Sequence, residues 1–355
     1  MKLTRLLPGV IMLPVLIGCS NAGEKTPASD PTPVKVIFET DMGNDVDDAL
    51  AFDMLMKYAE EGKIELLGLS SNKRDNGSVE YLDLLTTWYG HPDIPIGRVE
   101  NGMPCNDAVN YALAVVEMKD DAGNPMFSRS HDSDGFVRPS VEMYRRLLSA
   151  QPDSSVTVVS VGFSTNLAQL LESGADSISP LGGRDLVAKK VRQLVAMAGS
   201  FTENESDDTL RHMAEYNVVR DIAAARKVFA EWPTEIVTSP FELGINVLYP
   251  AKSITDDFKW TDAHPVVEAY KAYLPMPYDR PTWDLTSVLY AIEGTDGYFT
   301  LSEPGEIIVE GHGGTRFVPR ADGKSRYLIS DSSQCDNIAR RFVELITAAP
   351  EKYAH

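Results

Sequence analysis

Cysteine, histidine and positive charge are all scarce in this chain. Three cysteines and six histidines occur in 355 residues, with no C-x-x-C pair and no H-E-x-x-H stretch. A zinc site has no support, because it needs thiolate or imidazole ligands at such fixed spacings. A dense disulfide framework is excluded on the same count. Cys105 and Cys335 could pair in an oxidising compartment, but their distance in sequence leaves that open. Lysine and arginine number 33 against 52 acidic residues, a formal net charge of −19. So acidic a surface repels phosphates, which argues against nucleic-acid polymers and favours small neutral ligands. There is no internal repeat and no second linker, so one domain is preferred.

The apolar run at the start, Leu6 to Ile17, follows Lys2 and Arg5 and closes in Leu16-Ile17-Gly18-Cys19. It is too short and wrongly flanked for a stable membrane span, and residues 1–18 read as a secretory signal. The close resembles the lipobox of bacterial lipoproteins. That implies cleavage before Cys19, a lipid on this cysteine and a place in the bacterial cell envelope, periplasm or outer membrane, with the lipid as the only membrane contact. An uncleaved anchor is the alternative. Residues 19–33, with their Pro, Ser, Thr and Gly, read as a flexible tether, and residues 34–355 as the folded domain. Losing Lys2 and Arg5 takes the net charge from −19 to −21.

Short runs rich in Val, Ile and Leu recur at Val34–Phe38, Ile64–Leu69, Val156–Val161, Leu194–Ala198 and Glu235–Val237. Amphipathic segments lie between them, at Ala49–Glu60, Val79–Tyr89, Val141–Leu148, Asn166–Glu172 and Ile222–Phe229. This alternation predicts βαβ units: an α/β fold with an open, mostly parallel sheet flanked by helices. Glu306–Glu310 and Arg326–Ser330 read as strands of a late hairpin or edge extension.

Four aspartates, Asp41, Asp45, Asp47 and Asp48, crowd together directly after the first strand. Like charges that close repel, and a hard divalent cation with oxygen ligands would hold them together. In an open parallel sheet, ligands bind beyond the carboxyl ends of the strands, where this loop lies. Helix capping explains one or two of the aspartates but not four. An EF-hand fails, because a loop begun at Asp45 has Leu50 where glycine is needed and Met56 where glutamate belongs. A phosphatase-type nucleophile lacks its usual D-x-D-x-T/V continuation.

The stretch Glu39-Thr40-Asp41-Met42-Gly43-Asn44-Asp45-Val46-Asp47-Asp48-Ala49 resembles the D-x-D-x-G-x-D-D-A signature of the inosine–uridine-preferring nucleoside hydrolases. Val161 to Ala168 resembles that family's T-G-P-L-T-N-L-A, and Met197-Ala198-Gly199 with Ala214-Glu215-Tyr216-Asn217 its M-G-G and A-E-F-N. Trp283-Asp284-Leu285 resembles its late H-D-P, and His131 to Gly135 weakly echoes H-G-x-D-G-L. The pieces occur in order over nearly the whole mature chain. The resemblance implies a nucleoside hydrolase-like domain that binds Ca2+ through Asp41, Asp48, Asp284 and the Val161 carbonyl. It implies Asp41 as the base that activates water, and Asp47, Glu215, Asn217 and Asn204 as sugar contacts, with Trp283 beside them. It also allows a homo-oligomer. Taken alone, Asn166 reads as a turn cap.

Three departures stand out. Glu39 replaces the first aspartate. Two residues are inserted before Asp47-Asp48, so Asp45 keeps the usual distance from Asp41 and is a substitute ligand. Trp283 stands where many members have a histidine that protonates a purine, and tryptophan cannot donate a proton that way. His212 is the nearest replacement in sequence. The expected function is calcium-dependent hydrolysis of the N-glycosidic bond of ribonucleosides or related N-ribosides. The alternatives are a non-catalytic calcium-dependent sugar-binding lipoprotein and a magnesium-dependent phosphohydrolase.

Overall fold

A computed structural model describes residues 1, 32–74, 76–104, 109–131, 136–201 and 214–353. The signal, lipidation and tether readings, together with Cys105, Asn204 and His212, lie outside these residues. From Pro33 to His355 the chain forms one compact unit, built on an eleven-stranded sheet.

Its centre is parallel and follows the apolar runs of the sequence: β1 (Val34–Thr40), β2 (Ile64–Ser71), β5 (Val156–Ser160), β6 (Val191–Met197) and β7 (Glu235–Ser239). Two short strands, β3 (Ile96–Arg98) and β4 (Arg138–Pro139), extend the β2 side. The strand order across the middle is β7-β6-β5-β1-β2-β3-β4. On the other side the sheet is extended by β8 (Gly305–Val309), β9 (Thr315–Pro319) and β10 (Ser325–Ile329), of which β10 pairs parallel with β7. Both expected late strands are present as an edge extension, but the antiparallel hairpin partner of β8 is β9, which the sequence did not mark, and β8 meets β10 only at Gly305 and Ser325.

The middles of these strands bury apolar side chains on both sides because helices cover both faces. Val36, Phe38, Val159, Val195 and Val237 point to one face, and Ile37, Val158, Leu194 and Ile236 to the other. Each fully buried side chain of this kind is worth about 1.5–3 kcal/mol relative to exposure, which makes the register of the central strands hard to shift. On the first face lies the helix Asp47–Glu60, in which residues 47 through 58 are all buried. It packs with the helices Trp283–Glu293 and Ser332–Thr347, so polar atoms at its start are in a dry setting. Among the described residues, no helix is long and apolar enough to cross a membrane. Cys335 is buried and not in a disulfide.

Candidate active site

At the carboxyl end of β1 the chain turns through residues 41–46 and enters the helix Asp47–Glu60. Gly43 makes the turn with φ +122°, where a Cβ would meet Asn110 Oδ1 at 3.2 Å and Lys73 Nζ at 3.5 Å. Only glycine adopts that backbone readily. The helix Trp283–Glu293 begins beside this turn. Asp47 Oδ2 accepts the backbone N–H groups of Trp283 (2.9 Å) and Asp284 (3.2 Å), satisfying two donors that the start of a helix leaves open. Two helix N-termini thus face one region, where their dipoles favour negative charge.

Asp47, Asp48 and Asp284 converge there, each offering a ligand atom within 4.8 Å of the others. All three are at most 4% exposed. Burial first, and then the charges of Asp45, Asp41 or one another, raise all three carboxyls well above the usual carboxylate range. Asp41, itself buried at the end of β1, adds its charge to Asp48, Asp284 and Glu215. Thr40 donates its hydroxyl to Asp48 Oδ1. Three dry carboxylates whose ionised forms oppose one another fit a hard divalent cation, since an ion among them reverses the local pKa logic.

Asp45 is engaged elsewhere. The guanidinium of Arg280 holds it in a two-pronged ion pair, with Nε 2.8 Å from Oδ1. That guanidinium also lies over the rings of Tyr273 and Trp283, 5.0 and 5.3 Å from their centroids. Trp283 stacks on Phe241 and donates its indole N–H to the Phe241 carbonyl at 2.9 Å. Gly244 leaves room for it, since a Cβ there would lie 2.3 Å from Trp283 Cδ1.

The polar atoms of Glu215 and Asn217 bind the protein itself. Glu215 accepts N–H groups from Asn217 (2.7 Å), Gly199 (3.1 Å) and Val218 (3.2 Å), capping the helix Tyr216–Arg220. Burial pushes its carboxyl up to about 7 despite those bonds. Asn217 Nδ2 donates to the carbonyls of Val161 (3.0 Å) and Met197 (3.1 Å), clamping the ends of β5 and β6. The Val161 carbonyl keeps a second lone pair. Asn166 is fully buried and donates to Ser70 Oγ and the Ser71 carbonyl. Glu39, in the first-aspartate position, accepts from Tyr144 (2.8 Å), Asn72 and Ser160 (3.3 Å each). Burial raises its carboxyl to about 7.

Sequence reasoning missed Arg280 and Lys73, the two cations beside the cluster. A charged residue just past a buried strand end, as Lys73 is past β2, was the available signal. A separate cavity of about 1100 Å3 opens among Phe201, Glu242, His312, Thr315 and Tyr327 and is not lined by any of the five aspartates.

The cluster sets a pH dependence. With pKa values raised by folding, Asp47, Asp48 and Asp284 bind protons in the folded state that the unfolded chain has released. Their contribution to stability is therefore present at low pH and lost as pH rises through the folded values. A bound cation removes that loss and expels the protons. The gain in melting temperature on adding calcium is expected to grow between pH 5 and pH 8. A gain independent of pH counts against this titration.

The profile of the family described as inosine-uridine preferring nucleoside hydrolase matches residues 36–327. Solved structures share the fold. A plant nucleoside hydrolase, the PpNRh1 enzyme, is 20% identical with a TM-score of 0.66, covering 89% of this chain and 100% of its own. The inosine-uridine preferring nucleoside hydrolase of Bacillus anthracis is 18% identical with a TM-score of 0.64, covering 88% and 99%. The purine-preferring ribonucleoside hydrolase of Gardnerella vaginalis is 17% identical with a TM-score of 0.65, covering 88% and 98%. None of the curated protein sequences compared is a match. With its acidic turn at the end of β1, its open sheet and a family match that spans most of its length, the chain belongs to the inosine-uridine preferring nucleoside hydrolase family, enzymes that cleave the N-glycosidic bond of nucleosides.

Proposed function

We propose that this protein hydrolyses the N-glycosidic bond of ribonucleosides or related N-ribosides with calcium as its cofactor. The convergence of buried Asp47, Asp48 and Asp284, with Asp41 beside them, carries the reading. Asp48, Asp284 and Asp41 are the carboxylates to hold the ion, and the Val161 carbonyl is the further oxygen ligand. Calcium would supply Lewis-acid polarisation and an anchor for sugar hydroxyls.

The chain's own residues supply the rest. Asp41 takes a proton from the attacking water. The surrounding carboxylates stabilise the positive charge that builds on the ribosyl carbon as the bond to the base breaks. Asp47, whose Oδ2 fixes the helix start, contacts a sugar hydroxyl. Glu215 and Asn217 act on the sugar from a shelf that their own hydrogen bonds make rigid. Trp283 offers a flat wall and no proton, its N–H being spent on Phe241. Leaving groups that depart without protonation should therefore be favoured.

That same tryptophan supports the second reading, a module that binds ribosides without cleaving them. Purified protein incubated with a nucleoside panel and a p-nitrophenyl riboside decides between them. Release of free ribose, lost in chelator and restored by calcium, is the expected result, with the activated riboside fastest. Binding without any ribose release establishes the module instead. We read residues 1–18 as the export signal and Cys19 as the lipid attachment point, which places this chemistry in the cell envelope.

A further inference from the structure

The turn after β1 carries one carboxylate that does not join the other three. Asp45 stands outside the convergence of Asp47, Asp48 and Asp284. It is gripped instead by Arg280, which comes from 235 residues further along the chain. The two side chains are 24% and 19% exposed, and attraction between charges in contact with water stabilises little. What a two-pronged pair supplies in such a place is geometry, because both planar groups are fixed at once. The backbone that carries the arginine is held as well. Arg280 pairs antiparallel with Tyr249, and Thr282 gives its N–H (3.0 Å) and its hydroxyl (2.8 Å) to the Val247 carbonyl. The guanidinium that binds Asp45 also lies over the Trp283 ring. One planar group therefore ties the inserted part of the acidic turn to the tryptophan.

We propose that Arg280 is a positioning residue for departure of the leaving group: clamped by Asp45, it fixes the place and tilt of the Trp283 ring beside the sugar site. The proposal rests on the reading of Trp283 as a wall for the departing base given above. With its N–H donated to the Phe241 carbonyl, the indole can help a base only by orienting it, and orientation is lost when the ring is free to move. A nucleobase that leaves without protonation needs that help. A p-nitrophenolate, already a stable anion, needs far less of it.

The test compares intact wild-type protein with Arg280→Met, Arg280→Lys, Asp45→Ala and the Asp45→Ala/Arg280→Met pair, all in saturating calcium. In Arg280→Met the kcat for nucleosides should fall about tenfold to a hundredfold, and that for the p-nitrophenyl riboside much less. Asp45→Ala should reproduce the selective loss although the arginine is still present, and the pair should be no slower than Arg280→Met alone. Arg280→Lys, which keeps the charge without the fork, should fall between wild type and Arg280→Met, and it takes the place of Arg280→Met if that variant does not fold. Equal losses on both substrates, or no loss on nucleosides, overturn the positioning role. A selective loss in Arg280→Met that Asp45→Ala does not share overturns the anchoring, and so does loss of the calcium site in Asp45→Ala, which would make Asp45 a ligand. Wild type that binds a nucleoside without cleaving it removes the hydrolase reading, and affinities then decide. Weaker nucleoside binding with unchanged ribose binding in the variants upholds the positioning of Trp283, and any other pattern overturns it. Wild type that neither binds nor cleaves nucleosides overturns both readings.

Discussion

Asp41→Asn should fold like the wild type and hydrolyse nucleosides at least ~10²-fold more slowly, since loss of a general base typically costs ~10²–10⁴-fold. The side chain sits at the end of β1, 5% exposed, and asparagine keeps its shape and one ligand oxygen. What disappears is the capacity to accept a proton from water. One carboxylate charge also leaves a region where it raises the carboxyls of Asp48, Asp284 and Glu215. The variant should therefore melt no lower than wild type in chelator, which separates a catalytic defect from a folding defect. The assay needs saturating calcium, so that weaker metal binding does not pass for lost chemistry. Near wild-type turnover under those conditions would mean that another group is the base.

The second large effect concerns the metal. Chelator-stripped wild type should show one calcium site by calorimetry, and Asp48→Ala should abolish it. Asp48 contributes an oxygen to the buried cluster from the first turn of its helix and is itself positioned by the Thr40 hydroxyl. Alanine leaves that buried hydroxyl without its acceptor, so the metal-free variant should also lose stability, with about 1–3 kcal/mol as the usual cost of an unsatisfied buried polar group. Asp284→Ala approaches the same ion from the other helix and serves as the control. Tight calcium binding that survives both substitutions would place the ion somewhere else.

The parallel centre of the sheet was legible because strands covered on both faces carry apolar residues at successive positions through their middles, as β1, β2, β5, β6 and β7 do. The short strands were not. Ile96–Arg98 and Arg138–Pro139 are two or three residues long, below the length at which a pattern exists. Thr315–Pro319 lies in an outer hairpin, with no fully buried residue among its five. The acidic turn announced itself by charge density. Its cations did not, because Lys73 and Arg280 gain meaning only once β2 and the segment before Trp283 are brought to the end of β1. Glu215 and Asn217 were legible as polar residues of a motif, while the bonds that hold them, to a helix start and to two strand ends, became visible only in the fold.

The two N–H groups that Asp47 receives come from 236 and 237 residues further along the chain. The cost of closing such a loop grows only as the logarithm of its length, but the contact cannot form before the distant segment exists. A chain cut anywhere before Trp283 would hold four of the five aspartates in their proper order and still have no site. On the metal reading proposed above, cation uptake would report that the turn after β1 and the start of the helix Trp283–Glu293 have both been made and have met.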